Sequence, residues 1–132
     1  MRPLTRLSTS NVIAFVPSTN LHKSKLFYVD KLGLTLKSLD DIALEFTIDK
    51  VVLRVTKVSE FKPADYTIFG WEVDDIDTTI KELLLREIVF ERFDNFTQTD
   101  LGVCIFHDGG KVAWFKDPDG NTLSITQLKN KG

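Results

Sequence analysis

Val112-Ala113-Trp114-Phe115-Lys116-Asp117-Pro118-Asp119-Gly120-Asn121-Thr122-Leu123-Ser124-Ile125-Thr126-Gln127 reads as strand, tight turn, strand. Pro118 presets one turn dihedral, and Gly120 can take the positive φ that residues with a Cβ avoid. On each side of the turn apolar residues alternate with others, the period-two mark of a half-buried hairpin.

Upstream of this hairpin one order of elements occurs twice. Asn11 to Val16 is a compact apolar run of strand length, broken by Pro17-Ser18-Thr19-Asn20, and Asn20 is a good helix N-cap. Leu21, Ser24, Tyr28 and Leu32 fall on one helical stripe with Phe27 beside it, and Gly33 stands where the helix would end. Leu34 to Lys37, Ile42 to Ile48 and Val51 to Val55 read as three short strands, with Asp49-Lys50 as a hairpin turn. After a linker from about 58 to 65 the order recurs. Tyr66 to Val73 is a strand, and Asp74-Asp75 opens a helix whose buried stripe is Ile76, Ile80, Leu83 and Leu84. Ile88 to Arg92, Val103 to Phe106, Val112 to Lys116 and Thr122 to Gln127 supply further strands. Phe93 to Asp100 is the longest polar loop of this half. The expectation is one α+β domain of two βαβββ units, at about 11–57 and 66–128.

Composition narrows the function. A chain of 132 residues is one domain's worth and can bury a real core. The net charge of −2 argues against a dedicated nucleic-acid surface. No apolar run has membrane-spanning length, and Met1 to Ser10 lacks the apolar segment of a secretory signal. The single cysteine, Cys104, cannot form an intrachain disulfide, so a cytoplasmic location is expected. Ten phenylalanines suggest a core or cavity rich in aromatic surface.

In combination, three motifs resemble the vicinal oxygen chelate superfamily, the glyoxalase/bleomycin-resistance/dioxygenase group. They are Ser24-Lys25-Leu26-Phe27-Tyr28 with Leu32-Gly33-Leu34; Gly70-Trp71-Glu72-Val73-Asp74-Asp75-Ile76; and Val112 to Ile125 with its Asp117-Pro118-Asp119-Gly120-Asn121 turn. The resemblance implies sheets curling together into an open barrel, helices outside and a ligand cavity inside. It also implies a homodimer, by likeness to bleomycin-binding members, and in many members a divalent metal on the inner face. Matched motif to motif, the usual ligand positions fall near Asn11, at Ile68 and at Ser124. Isoleucine cannot bind a metal, and Asn and Ser are weak substitutes for His and Glu. A metal-free cavity is therefore expected, with no cofactor. A divalent metal held by other residues is the alternative.

Strand alternation gives an independent route to the cavity. Phe69, Trp71 and Val73 share one face of their strand, which should cover the adjacent helix and leave Glu72 on the concave side. The same test turns Leu44, Phe46, Val51, Leu53, Val55, Ala113, Phe115, Leu123 and Ile125 outward, under the helices. It leaves Glu45, Arg54, Trp114, Thr122 and Ser124 as candidate ligand-binding residues, with Glu72 as candidate catalytic base. Arg54 could grip a carboxylate or phosphate bidentately, and Trp114 could form a flat apolar wall. Equally, the charges could be solvated, or Glu and Arg could pair across strands for structural reasons only.

Other tempting residues have simpler readings. Cys104 and His107 are oddly spaced along a strand and would point apart. His107 to Gly110 looks like a turn, and His22 is expected in solvent. Asp74, Asp75 and Asp77 suit a helix start, while Asp117 and Asp119 are turn formers. Three functions stay open. One is a small-molecule-binding protein of the resistance or sequestration type, taking an anionic or aromatic ligand. The alternative is an enzyme of lyase, isomerase or dioxygenase type that uses a cavity Glu or an unrecognised metal. An accessory domain with a protein partner is a third possibility.

Overall fold

The computed structural model describes residues 6–129. Two four-stranded mixed sheets share one strand pattern. The first comprises β1 (Val12–Ser18), β2 (Thr35–Leu39), β3 (Ala43–Ile48) and β4 (Val51–Lys57), in the order β1-β4-β3-β2. The second comprises β5 (Thr67–Glu72), β6 (Cys104–Ile105), β7 (Lys111–Lys116) and β8 (Thr122–Gln127), in the order β5-β8-β7-β6. In each sheet the opening strand runs parallel to the closing one, and the other pairs are antiparallel. A helix on the crossover makes this possible: α1 (Leu21–Lys25) in the first unit and α2 (Ile76–Leu85) in the second. The sheets are curled and do not close.

Both helices start where side-chain capping satisfies a free backbone N–H. Asn20 Oδ1 accepts from Lys23 N, and Asp75 Oδ1 from Thr78 N. α1 does not run on as a plain α-helix. It passes into a π-helical turn over Leu26–Lys31, in which Leu32 N reaches Phe27 O at 3.0 Å. Phe27 and Tyr28 are neighbours in sequence, and both are buried here. The wide turn narrows the angle between adjacent side chains below the 100° of an α-helix, which suits two adjacent inward aromatics. Gly33 ends the helix at φ +73°.

The core lies between the helices and one face of both sheets. Val16, Tyr28, Phe46, Leu53, Val55, Ile76, Ile80, Ala113, Phe115 and Leu123 are nearly or fully excluded from solvent and form one continuous cluster. Each of the larger aliphatics contributes about 1.5–3 kcal/mol by leaving water. The cluster crosses from one unit to the other: Phe27 packs on Phe115, with ring centroids 6.3 Å apart. The alternation read from sequence thus places Leu44, Phe46, Leu53, Val55, Ala113, Phe115, Leu123 and Ile125 on the buried face.

Four local expectations are corrected. β1 continues through Pro17 to Ser18. Because β1 lies at the outside of its sheet, an imino acid there removes no ladder bond. Ile88 to Arg92 is not a strand; Phe90 makes one isolated bridge to Phe115. β6 shrinks to two residues. Leu84 is 45% exposed, since the helix axis aims Ile76, Ile80 and Leu83 at the sheet and Leu84 falls beside that stripe. Among the described residues no helix is long and apolar enough to cross a membrane.

Candidate functional site

On the second sheet the side opposite the core carries rows of cross-strand neighbours. Thr67, Thr122 and Lys116 stand in one row across β5, β8 and β7; Gly70, Ser124 and Trp114 stand in another. Gly70 is there because there is no room for more. A Cβ on it would come within 2.9 Å of the Ser124 carbonyl oxygen and closer still to Ser124 Oγ. Thr122 and Ser124 are both buried, and Trp114 is half-buried.

A loop folds over Trp114. Phe93 meets its ring edge-on at 5.3 Å, and Phe96 lies nearly parallel to it, 14° between planes and 5.7 Å between centroids. The loop is tied at both ends. Glu91 N donates to Trp114 O. The Gln98 amide accepts from Phe93 N and donates to Glu91 O and Gly102 O, while the Arg92 guanidinium donates to Thr99 O and Asp100 O. Between these rings and the Thr67–Thr122–Lys116 row lies a cleft of about 560 Å³, with Tyr66, Asp65 and Asn95 at its edge. Flat aromatic walls with a few hydroxyl, amide and ammonium groups suit a planar organic molecule bearing polar substituents.

Arg54 and Glu45 meet elsewhere, on the first sheet. They are directly opposite each other across β4 and β3, and Arg54 Nη1 lies 2.5 Å from Glu45 Oε2. Ser38 Oγ also donates to Glu45. The hydrogen bond from Arg54 holds the Glu45 carboxyl below its ordinary pKa. Glu72 belongs to neither group. It is exposed, and it borders a smaller apolar crevice of about 210 Å³ with Leu32, Leu34, Trp71, Val73 and Leu83. The structure therefore gathers Trp114, Thr122 and Ser124, pairs Arg54 with Glu45, and leaves Glu72 apart. Phe93 and Phe96 escaped the sequence reading. Their Phe-x-x-Phe spacing inside an otherwise polar loop was the available signal.

Cys104 is buried and His107 exposed, the latter in a turn where Phe106 N donates to Gly110 O. Asp117 is more than a turn former. Its carboxylate is buried and accepts from Tyr28 Oη, Asp119 N, Asn121 N and Asn121 Nδ2. Burial raises its pKa, against the lowering effect of these donors.

The sequence profile of the Glyoxalase/Bleomycin resistance protein/Dioxygenase superfamily matches residues 11–125. The chain belongs to this superfamily. No curated protein matches it in sequence. Among solved structures it is similar to a glyoxalase/bleomycin resistance protein/dioxygenase from Nocardioides, with TM-score 0.72 and 19% identity over 98% of this chain and 89% of that one. It is similar to a glyoxalase family protein from Enterococcus faecalis, with TM-score 0.65 and 25% identity over 91% and 98%. A third similar structure is TnmS3, an antibiotic binding protein from Streptomyces sp. CB03234, with TM-score 0.65 and 23% identity over 92% and 98%.

Superfamily membership raises the question of a metal. Asn11 precedes β1 and is exposed, Ile68 sits in the register shift between Thr67 and Phe69, and Ser124 presents a neutral hydroxyl. Among the described residues no three His, Cys, Asp or Glu side chains stand where they could hold an ion. This donor set does not fit a divalent metal of the Zn²⁺ or Fe²⁺ kind.

Proposed function

We propose that this superfamily member binds a small aromatic or anionic organic molecule in the cleft over Trp114, without a metal, as a sequestering protein. The observation that carries the reading is the aromatic corner of Trp114, Phe93 and Phe96 above Thr122 and Lys116. Apolar faces supply affinity, while the hydroxyl and ammonium fix orientation. A ring with a carboxylate, sulfonate or phenolate group satisfies both requirements. Ser124 stands behind this cleft as the cross-strand neighbour of Trp114. Arg54, now held by Glu45, is a second anion-binding group for a ligand long enough to reach the first sheet. The name of TnmS3 shows that an antibiotic-binding function exists on this fold.

The test is a thermal-shift series with aromatic acids, 1-naphthoate first, on wild type and Trp114→Ala, beside metal analysis of protein purified without chelator. A ligand selective for the folded chain raises its Tm. The expected result is a concentration-dependent rise in wild type, lost in Trp114→Ala, with no stoichiometric metal. A rise undiminished in Trp114→Ala refutes the site, and one tightly held equivalent of metal refutes the metal-free reading.

A further inference from the structure

Trp114 is already stacked before any ligand arrives, because Phe96 covers its ring at 5.7 Å. Phe96 is itself 43% exposed, so this ring is not held there by core packing. The loop that carries it is unevenly fastened. Gln98 and Arg92 tie its ends through five hydrogen bonds. Residues 94–97, between those ties, have a single backbone hydrogen bond, Phe96 N to Phe93 O at 3.3 Å. The tip is thus a short aromatic arm on a fixed base, resting on the apolar surface of the proposed cleft.

We infer that Phe96 is a self-stacking flap, occupying the Trp114 face that a planar aromatic ligand takes, so that such a ligand binds by displacing it. The inference rests on the binding site proposed above and adds a residue that sets its affinity and selectivity. The reasoning is one of exchange. Stacking on Trp114 is available to one ring at a time on that face. An incoming ring gains the stack that Phe96 loses, and apparent affinity is reduced by the fraction of time the flap is closed. Aliphatic or strongly non-planar molecules recover less of the displaced stacking and are disfavoured. The fixed ends confine the change to 94–97, so Phe93 keeps its edge-on contact with Trp114 and the wall survives.

The test compares wild type, Phe96→Ala and Phe96→Tyr. The chain has two tryptophans, Trp71 and Trp114, so its indole N–H groups give two nuclear magnetic resonance signals. Without ligand, Phe96→Ala is expected to shift one indole signal, that lost in Trp114→Phe, and to leave the Trp71 signal in place as the mark of an intact core. Titrated with 1-naphthoate, Phe96→Ala is expected to bind roughly two- to tenfold more tightly than wild type, the range set by one aromatic stack. Phe96→Tyr, which keeps a ring there, is expected to match wild type. Equal or weaker binding by Phe96→Ala overturns displacement and makes Phe96 part of a permanent wall, while leaving the cleft itself standing. An unmoved Trp114 signal in Phe96→Ala overturns the stack in solution. Failure of 1-naphthoate to bind any of the three proteins overturns both the cleft reading and the inference built on it.

Discussion

The Tyr28 hydroxyl donates a 2.7 Å hydrogen bond to Asp117 Oδ2 across 89 residues of sequence, joining the helix of the first unit to the hairpin turn of the second. The turn is held to the first unit at two further points: Asn121 Nδ2 donates to Pro17 O at 3.0 Å, and the Thr19 backbone and hydroxyl bond Asp119. A buried carboxylate depends on each of its donors. Tyr28→Phe keeps the ring packing and removes one, so it is expected to cost about 1.5–3 kcal/mol at neutral pH. Urea denaturation checks this. A loss under 0.5 kcal/mol would show that the bond is not formed in solution. Because the Tyr28 bond lowers the pKa of Asp117, the mutant's deficit grows as pH rises from acid and Asp117 ionises.

Acid should weaken the fold through other groups. Asp40 is held below its ordinary pKa by the Ile42 and Ala43 backbone N–H groups, and Glu45 by Arg54. Their contributions are present above about pH 4 and fade as pH falls through their lowered values. Asp117, raised by burial, works in the opposite sense: its contribution is complete below its unfolded pKa and is lost as pH rises through its folded one. Denaturation midpoints at pH 7 and pH 3 are therefore expected to differ less in Glu45→Gln than in wild type. An identical acid loss in the two proteins removes the Glu45–Arg54 pair from the account.

Gly70→Ala is expected to destabilise by about 1–3 kcal/mol, since the new methyl meets both the hydroxyl and the carbonyl oxygen of Ser124. Combining it with Ser124→Ala relieves the hydroxyl overlap but not the carbonyl one. The double mutant should therefore recover only part of the loss. Full recovery would show that the backbones of β5 and β8 are too far apart for the carbonyl contact.

Gly120 has φ +88°, and a Cβ there would approach Pro63 Cγ to 3.3 Å. Gly120→Val is expected to cost about 1 kcal/mol or more, for a strained backbone and a crowded linker together. Wild-type stability in thermal melts would refute the turn geometry.

Lys116 can be separated from Trp114 by ligand charge. Lys116→Met is expected to weaken 1-naphthoate binding more than binding of the neutral 1-naphthamide, whereas Trp114→Ala weakens both. Calorimetric titrations supply the four comparisons. Equal effects of Lys116→Met on acid and amide, or none on either, would remove the ammonium from the site.

The sheet faces were legible in the sequence because a strand's side-chain period is fixed at two. With Leu44, Phe46, Leu53 and Phe115 turned under the helices, Glu45, Arg54 and Trp114 have to take the other side. Helix faces were less legible. Leu84 fits a helical stripe on paper, yet only Ile76, Ile80 and Leu83 of that stripe are buried. Nothing local distinguishes the π-helical turn at Leu26–Lys31, which follows from burying two consecutive aromatics. The Tyr28–Asp117 bond was out of reach for another reason: a turn-forming Asp and a helix Tyr carry no mark of each other. Phe93 and Phe96 lie in a segment without periodicity, where tertiary packing alone decides which rings meet.

Phe27 and Tyr28 belong to the first half of the chain, yet Phe115 and Asp117, which they pack against and bond, belong to the second. The two halves share one buried apolar cluster. A protease cut between Ser59 and Asp65 should therefore leave a nicked molecule that migrates as one particle under native conditions. The two fragments, expressed separately, should regain a cooperative melt only on mixing, which makes the chain a candidate for a two-piece complementation reporter.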